Sequence, residues 1–322
     1  MEKRRIWAPI VVIVAVLLIS AGIIIVAPAK DEDSIKIGVL PVIDTLPLYV
    51  GQERGLFEDN GVSVELVSFT SAAERDTAFI AGQIDGYFGD MVNTLVLKET
   101  TDDVKVVTVV YHTLDEYRMF GLLASPNSGI TDVSGIINSP EEYKIATSLG
   151  SVSEYFLDEM IEINGMSDKV GKEKVPQIPL RYQSLMNDQI KLAQLPEPFA
   201  TRAIKEGAKL IADDGPINTT ATLIAMKGSF VSSHIDDVRN FLTAYNESVQ
   251  LVNRDPWQFK DVLEDKIKFP ADLADGFTFP PLSDISLPSK DEVDRVQSWM
   301  LEKQVLKKEI SYESIMGAEL YE

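Results

Sequence analysis

The chain has no cysteine, so none of its 322 residues can form a disulfide, a thiolate metal site or a thiol nucleophile. Histidine is almost as scarce: His112 and His234 are the only two, too few for a histidine-rich metal cluster. Positive charge is also in deficit. Thirty Lys and Arg stand against 50 Asp and Glu, and a formal charge of -20 argues against nucleic acid, whose phosphates need a basic face. The surplus reads as a solvated acidic surface. No Gly-x-Ser-x-Gly elbow, glycine-rich phosphate loop or His-Glu-x-x-His occurs, and only a paired-carboxylate hydrolase remains open among enzymes. We therefore read the chain as a binding protein and expect no cofactor.

What is present is the balance of a soluble globular protein, 45% apolar and 25% charged, at a length that favours two lobes. Residues 1–29 form a targeting segment. Lys3, Arg4 and Arg5 precede roughly 22 apolar residues from Ile6 to Ala29, enough to span a bilayer. Ala27-Pro28-Ala29 fits a signal-peptide cleavage site, but the run exceeds a usual signal core of about 7–15 residues, which favours an uncleaved anchor. Either way residues 30 onward lie outside the cytoplasm. Ile23 stands where a lipoprotein box would carry its cysteine, which excludes lipid anchoring there.

The stretch Ile35–Asp90 reads as a complete half-lobe. Ile35, Ile37 and Val39 alternate as a strand that Pro41 stops, and Leu48–Arg54 makes two helical turns closed by Gly55. Val62, Val64 and Leu66 form a second strand. Ser71 and Glu74 open a helix as a capping box, and Ile84–Phe88 returns as a third strand. Strand–helix–strand order with short connections implies parallel pairing, with ligands in the crevice beyond the strands' carboxyl ends. The loops Pro41–Pro47 and Gly89–Asn93 meet there.

Further on we expect a helix at Met91–Glu99, strands at Val104–Val110 and Phe120–Ala124, and a first crossing between lobes at Ser125–Gly129. A second lobe repeats the grammar. It has a strand at Lys144–Thr147, a Ser151/Glu154 capping box, an edge strand at Val175–Leu180, a strand at Gln189–Leu195, a helix at Phe199–Glu206 and a strand at Ala208–Ile211. Leu223–Met226 is the return crossing. Ile235, Val238, Leu242, Tyr245, Val249 and Val252 mark a long amphipathic helix behind Ser233 as cap, and residues 268–289 an ordered loop.

Gly55-Leu56-Phe57 with Gly61-Val62, and Ala81-Gly82-Gln83-Ile84-Asp85-Gly86, resemble the N-terminal signature of type II solute-binding proteins of ABC transporters, in the group for nitrate, sulfonate, taurine and thiamine-pyrimidine precursors. Leu195-Pro196-Glu197-Pro198-Phe199-Ala200 followed by Gly207-Ala208-Lys209 resembles that group's second-lobe signature, and the likeness runs from Ile35 to Met316. It implies an α/β, two-lobed periplasmic-binding-protein type II fold, each lobe a mixed sheet flanked by helices, with lobe 1 at 34–122 and 222–322 and lobe 2 at 123–221. It also implies an extracytoplasmic, monomeric chain that hands a small solute to an ABC permease and its cytoplasmic ATPase, with the membrane reached through the N-terminal segment. A biosynthetic relative in the group is an enzyme that relies on cysteine and histidine, and this chain has no cysteine.

Candidate ligand contacts come from the strand-end loops, each beside a plainer role. Asp44 and Thr45 suit an ammonium or ring NH, or Asp44 caps a helix; Asp90 and Asn93 suit the same, or Asp90 caps. Tyr111 stacks on a flat solute or fills core. Ser148, Gly150 and Ser151 lie where a helix N-terminus receives an oxyanion, with Ser151 also a cap. Glu197, between two prolines, and Asn218 and Thr219 at the return crossing complete the set. Asn218-Thr219-Thr220 and Asn246-Glu247-Ser248 also read as glycosylation acceptors. Asp44, Asp90 and Glu197 with Tyr111 tip the balance toward a cationic or pyrimidine-like solute over a sulfonate or nitrate. An anchored extracellular sensor is the alternative, against which counts the brevity of the segment before the apolar run.

Overall fold

The structure is a computed structural model that describes residues 34–322. The apolar segment expected to be a signal or anchor lies outside those residues. Among the described residues no helix is long and apolar enough to cross a membrane.

Strands β1 (Ile35–Val39), β2 (Val64–Ser68) and β3 (Gly86–Gly89) alternate with helices α1 (Leu46–Glu53), α2 (Leu56–Asp59) and α3 (Ala72–Ile80). Gly55, at φ +70, is the left-handed residue that lets α1 turn into α2. The parallel register Ile35↔Val64 to Val39↔Ser68, with Ile37↔Gly86, follows from the short crossovers. Then come α4 (Met91–Thr101) and β4 (Lys105–His112).

The second lobe holds β5 (Phe120–Ala124), α5 (Val133–Ile137), β6 (Tyr143–Thr147), α6 (Val152–Ile163), β7 (Val170–Lys174), α7 (Ile178–Met186), β8 (Leu192–Pro196), α8 (Phe199–Lys205) and β9 (Lys209–Asp213). The chain returns in β10 (Thr220–Met226), followed by α9 (Gly228–Ser233), α10 (Ile235–Arg254), α11 (Lys260–Val262) and α12 (Lys290–Glu302). The sheet orders are β2-β1-β3-β10-β4 and β7-β6-β8-β5-β9. In each, the fourth place is taken by an antiparallel strand that has just crossed from the other lobe.

Several expectations change. Because β5 pairs with β8 and β9, the first crossing runs through residues 113–119, ahead of that strand, and not at Ser125–Gly129. Leu223–Met226 is strand β10, so the return crossing precedes it at 214–219. Val175–Leu180 is not an edge strand: β7 ends at Lys174, and Pro179 sits in the first turn of α7, where a missing N–H costs nothing. Ser151 makes no cap bond; its hydroxyl donates to the Ser148 carbonyl at 2.8 Å, and Glu154 reaches Gly150 N instead. Ser233 ends α9, and His234 precedes α10. Ser71 does accept from Glu74 N, but the Glu74 carboxylate turns to Thr70.

Helix α10 buries Val238, Leu242, Tyr245, Val249 and Val252 as one stripe, each side chain contributing about 1.5–3 kcal/mol over exposure. The stripe lies against α1 and α2, with Phe57 stacked on Phe241 at 5.5 Å. Helices α4 and α12 meet α6 of the second lobe, where Trp299 Nε1 donates to Asp158 Oδ2 at 2.9 Å and its ring meets Tyr155 edge-on at 5.4 Å. Between 268 and 289 the chain makes one short 3-10 turn, Ala271–Leu273, and is pinned by Phe269, Phe277 and Phe279 around Trp257.

Candidate functional site

The carboxyl ends of β1, β2 and β3 with the start of β10 form one wall of a crevice; the ends of β6, β7 and β8 with the start of β5 form the other. The two crossings are bound to each other. Thr113 N donates to the Thr219 carbonyl at 2.9 Å, and Thr219 N to Thr113 Oγ1 at 2.8 Å. Met119 N and Phe120 N both donate to Asp214 Oδ1 at 2.9 Å, and burial pushes that carboxyl up to about 7.

Helix α12 clamps both crossings. Glu292 accepts from Thr220 N (2.7 Å) and pairs with His112 Nε2 (2.9 Å), while Arg295 Nη2 donates to the Asn218 carbonyl (2.8 Å). Although burial works the other way, hydrogen bonds from His112, Ser289 and Thr220 hold Glu292 far below the usual carboxylate range. The hydrogen bond to Glu292 raises His112 in turn.

The expected site residues fall into three groups. Asp44, in the turn after β1, is buried and accepts from Thr222 Oγ1 at 2.7 Å; burial pushes it up to about 6. Its neighbour Thr45 is turned inward, donating to the Val42 carbonyl at 2.7 Å. Tyr111 is fully buried, and burial, with nearby Asp214 and Asp44, raises its phenol. It is core and not a stacking platform. Asp90 caps α4 by accepting from Asn93 N at 2.9 Å, and burial raises it to about 6. Asn93 Nδ2 reaches Asp76, which Arg75 holds side-on from Nε (2.9 Å) and Nη2 (2.6 Å).

On the other wall Glu197 is buried against Arg118 (2.7 Å) and accepts from Thr201 N and Oγ1 at 3.0 and 2.9 Å, so it caps α8. Burial raises it, against the lowering by Arg118. Gly150, at φ +73, gives its N–H to Glu154 Oε2 at 2.7 Å. Ser148 donates to the Pro176 carbonyl and accepts from Arg181 Nη1 at 3.0 Å. Asn218 is exposed in a left-handed conformation, and Thr219 is buried in the hinge.

Sequence reasoning missed the arginines. Arg118 borders a cavity of about 390 Å³ lined also by Tyr117, Glu197, Thr201, Asp213 and Phe277, where the first crossing, α8 and the loop near 277 meet. Its size suits a small solute. Lys205 of α8 also ties the second lobe to that loop, pairing with Asp272 at 3.2 Å. No local pattern marks Arg118 or Arg181, because their partners come from other elements.

A 26% identical relative, over 277 residues that make up 83% of this chain and 78% of its own length, is a putative aliphatic sulfonates-binding protein of Bacillus subtilis (strain 168). A stretch of 58 residues is 40% identical to a nitrate import ATP-binding protein, NrtC, of Synechococcus elongatus; the chain spans only 9% of that protein's length. The crystal structure of the periplasmic aliphatic sulphonate binding protein SsuA from Escherichia coli superposes with a TM-score of 0.75 at 15% identity, covering 88% of this chain and 92% of that one, which establishes the periplasmic-binding-protein fold. The NMT1-like family model matches residues 28–263, most of the chain, and the protein belongs to that family.

Proposed function

We propose that this protein is the extracytoplasmic solute-binding component of an ABC importer, holding a small oxyanion-bearing organic solute between its lobes and presenting the closed form to a permease with its ATPase. The observation that carries the reading is the cavity of about 390 Å³ bounded by the first crossing, α8 of the second lobe and the loop near Phe277. Hinge closure around a solute held there changes the surface a permease meets. The strand pairing supports lobe limits at 34–112 with 220–322, and at 120–213, with two short crossings between.

The cationic preference expected from Asp44, Asp90 and Glu197 loses its basis, since each of these carboxylates is buried and already held by protein donors. The relatives, one named for aliphatic sulfonates and one for nitrate import, support an oxyanion instead. Thermal-shift screening with alkanesulfonates, nitrate, bicarbonate, amines and pyrimidines tests this. A micromolar binder at ten-fold excess adds about 1.4 kcal/mol of stability. A shift with amines or pyrimidines alone would overturn the oxyanion assignment, and turnover of a compound without binding of any other would overturn the importer reading.

A further inference from the structure

Helix α7 carries an arginine on its inward face. Arg181 follows Pro179 and Leu180, and it is fully buried although its neighbours Tyr182 and Leu185 are apolar core. Nη1 donates to Ser148 Oγ at 3.0 Å and to the Val175 carbonyl at 2.7 Å, groups that lie just past the carboxyl ends of β6 and β7. Nε and Nη2 make no hydrogen bond to any described residue. These two nitrogens form the side-on edge of the guanidinium, the pair that meets two oxygens of a carboxylate, sulfonate or phosphate.

The same protein shows what that edge ordinarily does. Arg75 gives Nε and Nη2 to one carboxylate oxygen of Asp76, and Arg118 Nε donates to Glu197 Oε1, with Nη2 2.7 Å from the same oxygen and donating to Thr201 Oγ1. Arg181 has no carboxylate partner among the described residues, in a chain with 20 surplus negative charges, and burial alone pushes it down to about 10, so it stays protonated at neutral pH. A buried cation with bare donors is costly unless something completes it.

We infer that the Nε/Nη2 edge of Arg181, braced by Ser148 and Val175, is an oxyanion-recognition fork at the crevice end of the second lobe, and that it takes the anionic head of the transported solute. This rests on the solute-binding reading above but not on the cavity beside Arg118, whose lining does not include Arg181 or Ser148. Nε and Nη2 are themselves shielded from solvent, while Ser148, which Nη1 holds, is partly exposed, so a solute's head reaches the fork by displacing what covers it at the Ser148 loop. Glu154 already occupies Gly150 N at the start of α6, so the charge that receives an anion on this wall is the arginine's and not that of the helix end.

The test is isothermal titration of the full-length protein and its Arg181→Met and Arg181→Lys variants with propanesulfonate, acetate, nitrate, phosphate and propylamine. The expected result is that wild type binds at least one of the anions, that Arg181→Met weakens it at least ten-fold, and that Arg181→Lys, which keeps the charge but lacks the paired donors, also weakens it. Ligand-free Arg181→Met should melt no lower than wild type, because it removes an uncompensated buried charge; a purely structural arginine would give a lower midpoint. Should the Met variant not fold, the Lys variant decides alone. Wild-type affinity in the folded variants overturns the fork and leaves the importer reading intact. Binding of propylamine alone overturns the fork and the oxyanion class together. Binding of none of the five by wild type overturns the fork and the oxyanion reading on which it rests.

Discussion

Replacing Asp44 by Asn should make the protein more stable at neutral pH, although it alters a residue that looks like a ligand contact. The carboxyl is 3% exposed, and its one side-chain hydrogen bond comes from Thr222 Oγ1 at 2.7 Å. Burial raises its pKa from 3.8 to about 6. A raised carboxyl binds its proton more tightly in the folded state, so its contribution is fully present below the unfolded value and is lost as pH climbs through the folded one. Two units at about 1.4 kcal/mol each put the loss near 3 kcal/mol by pH 7.5. Asparagine keeps the oxygen that Thr222 needs and carries no charge. It also removes the Asp44 charge that, with burial, raises the phenol of Tyr245, whose buried hydroxyl has no partner among the described residues. With about 2–4 °C per kcal/mol, Asp44→Asn should melt roughly 6–12 °C above wild type at pH 7.5 and level with it near pH 4. Scanning calorimetry at both pH values measures this. A lower midpoint at pH 7.5, or an equal gain at both, would refute the argument that burial of the charge dominates at this position.

Glu197→Ala strips Arg118, Thr201 N and Thr201 Oγ1 of their acceptor, and should cost on the order of 3 kcal/mol in urea unfolding; a change below a third of that would mean water replaces the carboxylate at no loss. Gly51→Ala places a Cβ 2.7 Å from the Phe57 ring and 2.8 Å from Ser248 Oγ where α1 meets α10, and should destabilise by about 1–3 kcal/mol, read as a lower thermal midpoint. His112 is raised by Glu292, so its bonus is present below about pH 6.5 and fades as pH rises through the folded value, while that of Glu292 fades as pH falls. The midpoint difference between wild type and His112→Gln should therefore be large near pH 6 and shrink toward pH 9; a difference that does not change with pH would show that the pair is not ionic.

The first half-lobe was readable because each of its instructions is local. Alternation in Ile35–Val39 needs only its own side chains, Gly55 and Gly82 stop helices through backbone freedom at φ +70 and +73, and Ser71 caps α3 from three residues away. The amphipathic stripe of α10 is equally local. Proline was the element that misled: Pro176 and Pro179 suggested an edge strand, yet at the first turn of α7 proline is preorganised for a helix. Strand β5 was found but assigned to the wrong side of a crossing, since an extended apolar run does not say which sheet it will join.

Composition and period alone therefore determined the α/β class, the repeated half-lobe and the absence of thiol chemistry, because these depend on which residues are present and on spacings of a few positions. Only the tertiary structure decided the chemistry of the crevice. Two of the acids that looked like ligand contacts are consumed by partners far along the chain, Thr222 for Asp44, 178 residues away, and Arg118 for Glu197, 79 residues away, and the third, Asp90, caps its own helix. Arg181 is a buried cation left with unmet hydrogen-bonding capacity among the described residues, and nothing in its neighbourhood of sequence distinguishes it. Whether a charge is spent or available depends on what folding brings within about 3 Å of it, and that distance is not written in any local pattern.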